Sequence, residues 1–138
     1  RIARYNAAPI NTAWGYDNRT VGLRVPYSDP ANRRVENRLS GADVNPYLMF
    51  AVSFACGLLG LQQELQPTEP MATSAYNLPF GVPRDLGDAL VALEQCQPLV
   101  DLLGDRFVSV YCNIKRMEYQ AFFEVISSWE REYLLLNV

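Results

Sequence analysis

The sequence predicts an α+β fold, in which a few antiparallel strands near the N-terminus are followed by several packed helices. Apolar and polar residues alternate over residues 20–25 and again over 34–39, which is the period of a half-buried strand. From residue 46 onward, apolar residues recur at helical spacing between capping and breaking residues. The 138 residues, 49% of them hydrophobic, can bury one core, so we expect a single domain.

The first predicted strand covers residues 20–25 and places three apolar side chains on one face, opposite Arg24. They are Val21, Leu23 and Val25. Pro26 then ends the strand, because proline cannot donate to a sheet ladder. The upstream residues 8–16 are expected to be extended as well.

The second predicted strand covers residues 34–39 and gives one of its faces three charged side chains. They belong to Arg34, Glu36 and Arg38. The intervening segment YSDPAN is turn-forming, with Asp29-Pro30 at its centre. Two strands joined by this loop would bring Arg24 beside the three charged residues, so all four could point into one cavity.

The first predicted helix covers residues 46–65, with Asn45 as its N-cap and Pro46 at its first position. It is apolar almost all round until Gln62, so we expect it to be buried. A proline-rich, irregular segment follows over residues 66–84.

Further helices are predicted after the irregular segment. One covers residues 85–96 and has Leu86, Ala89, Leu90 and Leu93 on one side. The next ends with Gly104 in the C-terminal cap position. A long amphipathic helix over residues 106–126 precedes a capping box of Ser127 and Glu130 that starts a last short helix. The aromatic residues of the long amphipathic helix are predicted to lie in a core or an interface. They are Tyr111, Tyr119, Phe122 and Phe123.

Charge is distributed unevenly along the chain, whose net charge is −3. Residues 1–38 carry seven arginines and three acids, whereas residues 39–138 carry five bases and twelve acids. Arginine binds carboxylate or phosphate through a planar, two-pronged group, so the N-terminal region is suited to an anionic ligand. The acidic total and the absence of a basic run argue against a nucleic-acid partner.

The numbers of histidine and cysteine residues restrict the possible catalytic chemistry and the expected cellular location of the protein. The chain contains no histidine, which excludes imidazole acid–base catalysis and histidine metal ligands within it. Three cysteines, an odd number without metal-site spacing, favour reduced thiols and a cytoplasmic location. No apolar run is long enough to span a membrane, so no membrane partner is expected.

Three ordered motifs resemble the C-terminal part of the catalytic domain of the glutamine synthetase family. They read N-R-T-x-G-x-R-V-P from residue 18, R-V-E-N-R from residue 34 and G-A-D-x-N-P-Y-L from residue 41. The similarity extends over essentially the whole chain, 1–138. It implies that the upstream half of the catalytic domain and the N-terminal domain are absent here.

The resemblance implies an ATP-dependent ligase that phosphorylates the side-chain carboxylate of glutamate and then transfers it to an amine or to ammonia. It implies ATP and Mg or Mn as cofactors, and a homo-oligomer of stacked rings, a dodecamer in the intact protein. Through the motifs it also assigns residue roles. Arg19 stabilises the transferred phosphoryl group, Arg24 and Arg34 bind ATP, Glu36 binds the metal, and Arg38 and Arg1 bind glutamate.

Several of these residues also have simpler interpretations. Glu36 between two arginines is, taken alone, typical of a solvated salt-bridge strand, and only the flanking motifs favour a metal ligand. Tyr76 stands where some family members carry an adenylylated tyrosine, but a buried or loop-anchoring role is favoured. Arg33 is expected to be solvated. Trp14 and Tyr16 either line the acceptor pocket or simply pack.

One departure from the family pattern concerns the acceptor. Ammonia-using members usually carry an acid directly before the A-P dipeptide, and here Ala7 stands in its place. Without that carboxylate, an ammonium ion loses its binding charge and its proton acceptor. The chain therefore resembles the γ-glutamylpolyamine or γ-glutamylputrescine synthetase branch most, and a polyamine or alkylamine acceptor is expected. Alternatives are ammonia as acceptor, a non-catalytic scaffold relative, or a fragment that is inactive alone.

Overall fold

A three-stranded sheet near the N-terminus precedes five α-helices in the computed structural model, which describes Arg4 and residues 7–137. The strands are β1 (Trp14–Tyr16), β2 (Leu23–Val25) and β3 (Glu36–Asn37), in the order β1-β2-β3. β2 and β3 are antiparallel, with Arg24 opposite Glu36. The predicted α+β class is confirmed. Arg1 lies outside the described residues.

The pairing of β1 with β2 is parallel, which corrects the expectation of antiparallel strands throughout. Parallel pairs usually need a crossover of a dozen or more residues. Here the strands have only three residues each, so residues 17–22 suffice to return the chain. Asp17, with a φ of 47°, starts this connection, and its N–H donates to the carbonyl of Val25 at 2.9 Å.

Both predicted strands are longer in the sequence pattern than in the fold. Residues 20–22 belong to the connection, and residues 34–35 follow a 3₁₀ turn at Pro30–Asn32. Gly22 is fixed by close approach, since an added Cβ would lie 2.5 Å from the backbone oxygen of Asn11. Ladder pairing extends one step past the strand, because the N–H of Arg38 donates to Gly22 at 2.9 Å.

The helices start and end near the predicted positions, because their caps are local. They are α1 (Pro46–Gln62), α2 (Leu86–Gln95), α3 (Gln97–Leu103), α4 (Asp105–Phe123) and α5 (Ser128–Leu134). The side chain of Asn45 accepts from the first turn of α1, and Gly104 ends α3 with a φ of 92°. The capping box of Ser127 and Glu130 is formed as predicted.

The helical core lies between α2, α3 and α4. Its buried residues are Leu90, Val100, Val108 and Cys112, with Leu86, Leu93, Leu103 and Tyr111 packed against them. This confirms the apolar side predicted for residues 85–96. All three cysteines are free, as expected. Among the described helices, none combines the length and apolar character needed to cross a bilayer.

The burial predicted for α1 is wrong in this chain, where Ala55 is its one buried residue and Phe54 is 74% exposed. α1 packs on α3 along one side, and the described chain supplies nothing to cover the other. Two of the four residues of the aromatic stripe also lie outside the core, since Phe122 and Phe123 are 67% and 64% exposed, whereas Tyr111 packs against the core.

A second buried cluster connects the sheet to the irregular segment. Ile10 and Val21 are fully buried, and Ala75 and Tyr76 lie beside them in a 3₁₀ turn (Ala75–Asn77). Tyr76 is 8% exposed, which confirms the expectation that it is buried. Hydrogen bonds from Asn11 to the carbonyl of Ala75 and from the N–H of Ala75 to the hydroxyl of Thr20 hold the two segments together.

Candidate functional site

Arg24 on β2 is the central residue of the charged face. Its Nη1 donates to Oε2 of Glu36 at 2.8 Å across the β2–β3 pair. Its Nη2 donates to Oδ1 of Asp17, the first residue after β1. The Arg24 side chain is 15% exposed, and its Nε is buried without a hydrogen-bond partner among the described residues. Two carboxylates therefore hold one largely buried guanidinium in a fixed orientation.

Glu36 is surrounded by positive charge. The hydrogen bond from Arg24 holds the pKa of Glu36 below its usual value, partial desolvation opposes this, and the charges of Arg24, Arg34 and Arg38 add to the lowering. Arg34 donates from Nη2 to Oε1 of Glu36 at 3.4 Å, and its side chain is 55% exposed. Glu36 is therefore ionised at neutral pH, and each of its two oxygens faces a guanidinium.

An open cleft of about 610 Å³ lies on the β1 side of Arg24. Its lining comes from the end of β1, the loop after it, Arg24 and residues 72–74. Arg19 also lines the cleft, is exposed, and makes no ion pair with any residue that the structure describes. Two guanidinium groups facing one open volume are suited to a polyanion such as a phosphate chain.

The predicted common cavity of Arg24, Arg34, Glu36 and Arg38 does not form. Arg24 lines the cleft together with Arg19, whereas Arg34, Glu36 and Arg38 do not line it. Strand β3 ends at Asn37, and Arg38 instead donates from Nη2 to the carbonyl of Ala7 at 3.1 Å. Arg38 thus lies next to Ala7, and its Nε is buried without a hydrogen-bond partner in the part of the chain that the structure describes.

The two aromatic residues of β1 behave differently. Trp14 is half-buried, and its indole N–H donates to the carbonyl of Thr68 at 2.6 Å, which is a packing role. Tyr16 is 50% exposed, lines the cleft, and stacks on Tyr27 with ring centroids 5.9 Å apart. The nearby guanidiniums of the cleft make Tyr16 a poor site for a second ammonium group.

The charged face does not by itself complete a divalent-metal site. In the described part of the chain, no group of three or more acidic or cysteine side chains is close enough to hold a metal ion. Mg²⁺ and Mn²⁺ prefer several oxygen ligands, of which Glu36 offers one carboxylate. Glu36 can therefore contribute to such a site but cannot form it alone.

Two polar residues beside Arg19 were not singled out from the sequence, although both belong to its N-R-T motif. Asn18 and Thr20 also line the cleft. They hold the loop by several hydrogen bonds, and the alternation pattern did not reveal them because it reports only which side of a strand a residue faces.

Known proteins resemble this chain over most of its length. Residues 1–134 match the model of the glutamine synthetase catalytic domain. The chain is 42% identical over 124 residues to γ-glutamylethanolamide synthetase GlnA4 from Streptomyces coelicolor, covering 89% of the chain and 27% of that protein. It is 40% identical over 132 residues to γ-glutamylputrescine synthetase PuuA from Escherichia coli, covering 94% and 28%.

A solved structure also matches this fold. It is described as apo GmaS without ligand, superimposes with a TM-score of 0.78 at 31% identity, and is covered over 31% of its length by 94% of this chain. The chain thus spans less than a third of the length of these relatives. The match over residues 1–134 shows that the chain belongs to the glutamine synthetase catalytic-domain family.

Proposed function

We propose that this chain is part of an ATP-dependent ligase that activates glutamate as γ-glutamyl phosphate and transfers the γ-glutamyl group to an amine. Residues 1–138 would form the C-terminal segment of its catalytic domain and would be inactive alone. The observation that carries the proposal is the pair of arginines, Arg19 and Arg24, that face one open cleft in a chain of this family.

The proposed residue roles are those that the resemblance to the family implies. Arg19, which has no ion-pair partner among the described residues, stabilises the transferred phosphoryl group, and Arg24 and Arg34 bind the phosphates of ATP. Preorganised cations act most strongly where negative charge develops, and phosphoryl transfer depends mainly on such electrostatics. Arg24 is preorganised because Asp17 and Glu36 already hold its guanidinium.

The remaining roles concern the metal and glutamate. Glu36 supplies one carboxylate to Mg or Mn, and the other ligands come from outside the described residues. Arg38 and Arg1 bind glutamate. In the chain as described, the Arg38 guanidinium contacts the carbonyl of Ala7, so glutamate binding and the position of that loop are coupled.

The acceptor is an alkylamine or polyamine in preference to ammonia. Ala7 supplies no carboxylate to bind ammonium, and several similar proteins are named for amine products or acceptors, namely ethanolamide, putrescine and isopropylamine. A longer amine gains binding energy along its chain, which can orient the reacting nitrogen. Ammonia is the alternative, since other similar proteins are named glutamine synthetases.

The intact protein is proposed to be a cytoplasmic homo-oligomer of stacked rings. The free thiols of the three cysteines support the location. Large apolar side chains left uncovered on α1 support further contacts in the intact protein, and Phe54 and Leu61 are 74% and 79% exposed.

The acceptor is tested by phosphate release from the full-length protein with glutamate, ATP and Mg. We expect kcat/KM for at least one of ethylamine, ethanolamine, putrescine and spermidine to exceed that for ammonia by about tenfold or more, because binding energy from the amine chain is available. Ala7→Glu should raise kcat/KM for ammonia, whereas the uncharged Ala7→Gln of matched size should not. A value for ammonia equal to or above that for every amine contradicts the acceptor, and absence of phosphate release with all of them contradicts the ligase.

A further inference from the structure

Asn18 anchors the loop that carries Arg19 to the opposite wall of the cleft. Its Oδ1 accepts from the N–H of Thr20 at 2.9 Å and from the hydroxyl of Thr20 at 2.7 Å. Its Nδ2 donates to the carbonyls of Met71 and Thr73, both at 2.9 Å. One amide side chain thus closes the loop on itself and ties it to the segment that forms the other wall.

Thr20 completes the same connection from the other side of Arg19. Its hydroxyl oxygen accepts a hydrogen bond from the N–H of Ala75 at 2.8 Å, while the hydroxyl group donates one to Oδ1 of Asn18. Ala75 is fully buried, so this end of the link is rigid. The residues on either side of Arg19 are therefore hydrogen-bonded to the buried Ala75 and to the backbone carbonyls of Met71 and Thr73.

Arg19 itself has no such support. Its side chain is exposed and makes no ion pair with the described residues, in contrast to Arg24 with its two carboxylates. The position of its guanidinium therefore depends on its backbone. A catalytic group displaced by about 1 Å can lose about a hundredfold in rate, so a fixed backbone here has consequences for chemistry.

We propose that Asn18 and Thr20 are positioning residues, which hold the backbone of Arg19 so that its guanidinium reaches the transferred phosphoryl group. This inference rests on the proposed function. In the N-R-T motif, Arg19 would contact the reacting group, and Asn18 and Thr20 would hold the backbone of Arg19 in place.

Asn11 offers a matched control elsewhere in the same chain. Its Oδ1 accepts from the N–H of Ala13 at 3.1 Å, two residues on, and its Nδ2 donates to the carbonyl of Ala75 at 2.9 Å. This is the same local arrangement on the same irregular segment, but Asn11 is 95% buried and does not line the cleft. Substitution of Asn11 therefore shows what the loss of such hydrogen bonds does to stability at a position that has no arginine next to it.

The test compares Asn18→Ala, Asn11→Ala, Arg19→Ala and the double variant Asn18→Ala/Arg19→Ala in the full-length protein. We expect Asn18→Ala to lower kcat by about ten- to a hundredfold, with KM for ATP within about threefold of wild type. Asn11→Ala should lower Tm while kcat stays within about threefold. On the Arg19→Ala background, Asn18→Ala should have no further effect on kcat, because its action passes through Arg19.

A second pair of variants covers the case in which Asn18→Ala does not fold. Thr20→Ser keeps the hydroxyl and should retain kcat, whereas Thr20→Val keeps the shape and should lose about tenfold or more. Equal kcat in these two variants, or equal losses from Asn18→Ala with and without Arg19, overturns the inference and leaves the ligase standing. A wild-type protein without ligation overturns the proposed function and this inference with it.

Discussion

Arg24 combines the features of an anion-binding residue with those of a structural one. Its guanidinium is largely buried, and two carboxylates raise its pKa, first through the hydrogen bond to Glu36 and then through that to Asp17. A buried cation is costly unless it is paired, so these acids make the position tolerable. The same acids leave part of the guanidinium facing the cleft, where a phosphate can add further hydrogen bonds.

Removal of the Glu36 carboxylate tests its proposed role as a metal ligand. We expect Glu36→Ala in the full-length protein to abolish ATP-dependent ligation, with a loss of about a thousandfold or more in kcat, because a metal ligand offsets charge in the transition state. The fold should remain, since Asp17 still pairs with Arg24. Phosphate release at saturating Mg is the measurement.

The control for this variant is Glu94→Ala. Glu94 is also a glutamate paired with an arginine, at 2.5 Å, but it lies on α2, away from the cleft. It should keep kcat within about threefold of wild type, as expected for a surface ion pair. If Glu36→Ala behaved like this control, Glu36 would be only a salt-bridge residue.

Between elements, the clearest electrostatic link joins α2 to α4. Arg116 donates from Nη1 and Nη2 to the two carboxylate oxygens of Glu94, at 2.8 and 2.5 Å. The hydrogen bonds from Arg116 hold the pKa of Glu94 below its usual value of 4.5, and desolvation acts in the opposite direction. The pair lies beside the buried Cys112 of the helical core, so it joins the same helices that the core does.

This pair predicts a specific pH dependence of stability. Folding lowers the pKa of this carboxyl group, so its ionised form stabilises the folded state. The stabilisation is fully present at pH values above the pKa of the unfolded state, here 4.5, and is lost as the pH falls through the lower pKa of the folded state. Glu94→Gln should therefore lower Tm at about pH 7 and at about pH 5 by the same amount. The difference from wild type should shrink as the pH falls below 4.5.

Thermal unfolding of the full-length protein between about pH 7 and pH 3 provides the measurement. Glu124→Gln is the matched control, because Glu124 lies at the end of α4 and makes no ion pair within the described residues. A difference between wild type and Glu94→Gln that grew toward acid pH would contradict the assignment of the pair.

At the scale of the molecule, the described chain leaves a large apolar surface uncovered. Exposed side chains run along α1 and over the C-terminal helices. They include Phe50, Phe54, Leu61, Met117, Phe122, Trp129 and Leu136. Soluble monomers rarely leave large apolar patches free, because contact of apolar groups with water is unfavourable. Other parts of the intact protein, or other subunits, are therefore expected to cover these side chains.

Residues 1–138 expressed alone should consequently self-associate. We expect light scattering at about 10 μM protein to show oligomers or aggregates, and a dye for apolar surfaces to bind them, since exposed patches of this size promote association. The full-length protein at equal mass concentration is the control and should bind much less dye. A monomeric segment that binds no dye would show that its apolar side chains rearrange to cover one another.

Features that depend on neighbours within a few residues could be predicted from the sequence. Asn45, Gly104 and Ser127 mark helix ends, because a cap satisfies backbone groups only three or four positions away. The alternation around Glu36 likewise predicted that it would lie opposite β2 among arginines, and the resemblance identified the family.

Contacts between distant segments follow from the three-dimensional fold and were not predicted from the sequence. The parallel pairing of β1 with β2, the capture of Arg24 by Asp17 and the anchoring of Asn18 to residues 71–73 depend on where the chain returns in space. The exposure of α1 has the same cause, since an all-round apolar helix predicts burial but not which part of a protein supplies the cover. Periodicity and capping residues indicate where a helix or strand ends and which of its faces is apolar. The contacts named here are instead set by packing between segments that are far apart in sequence.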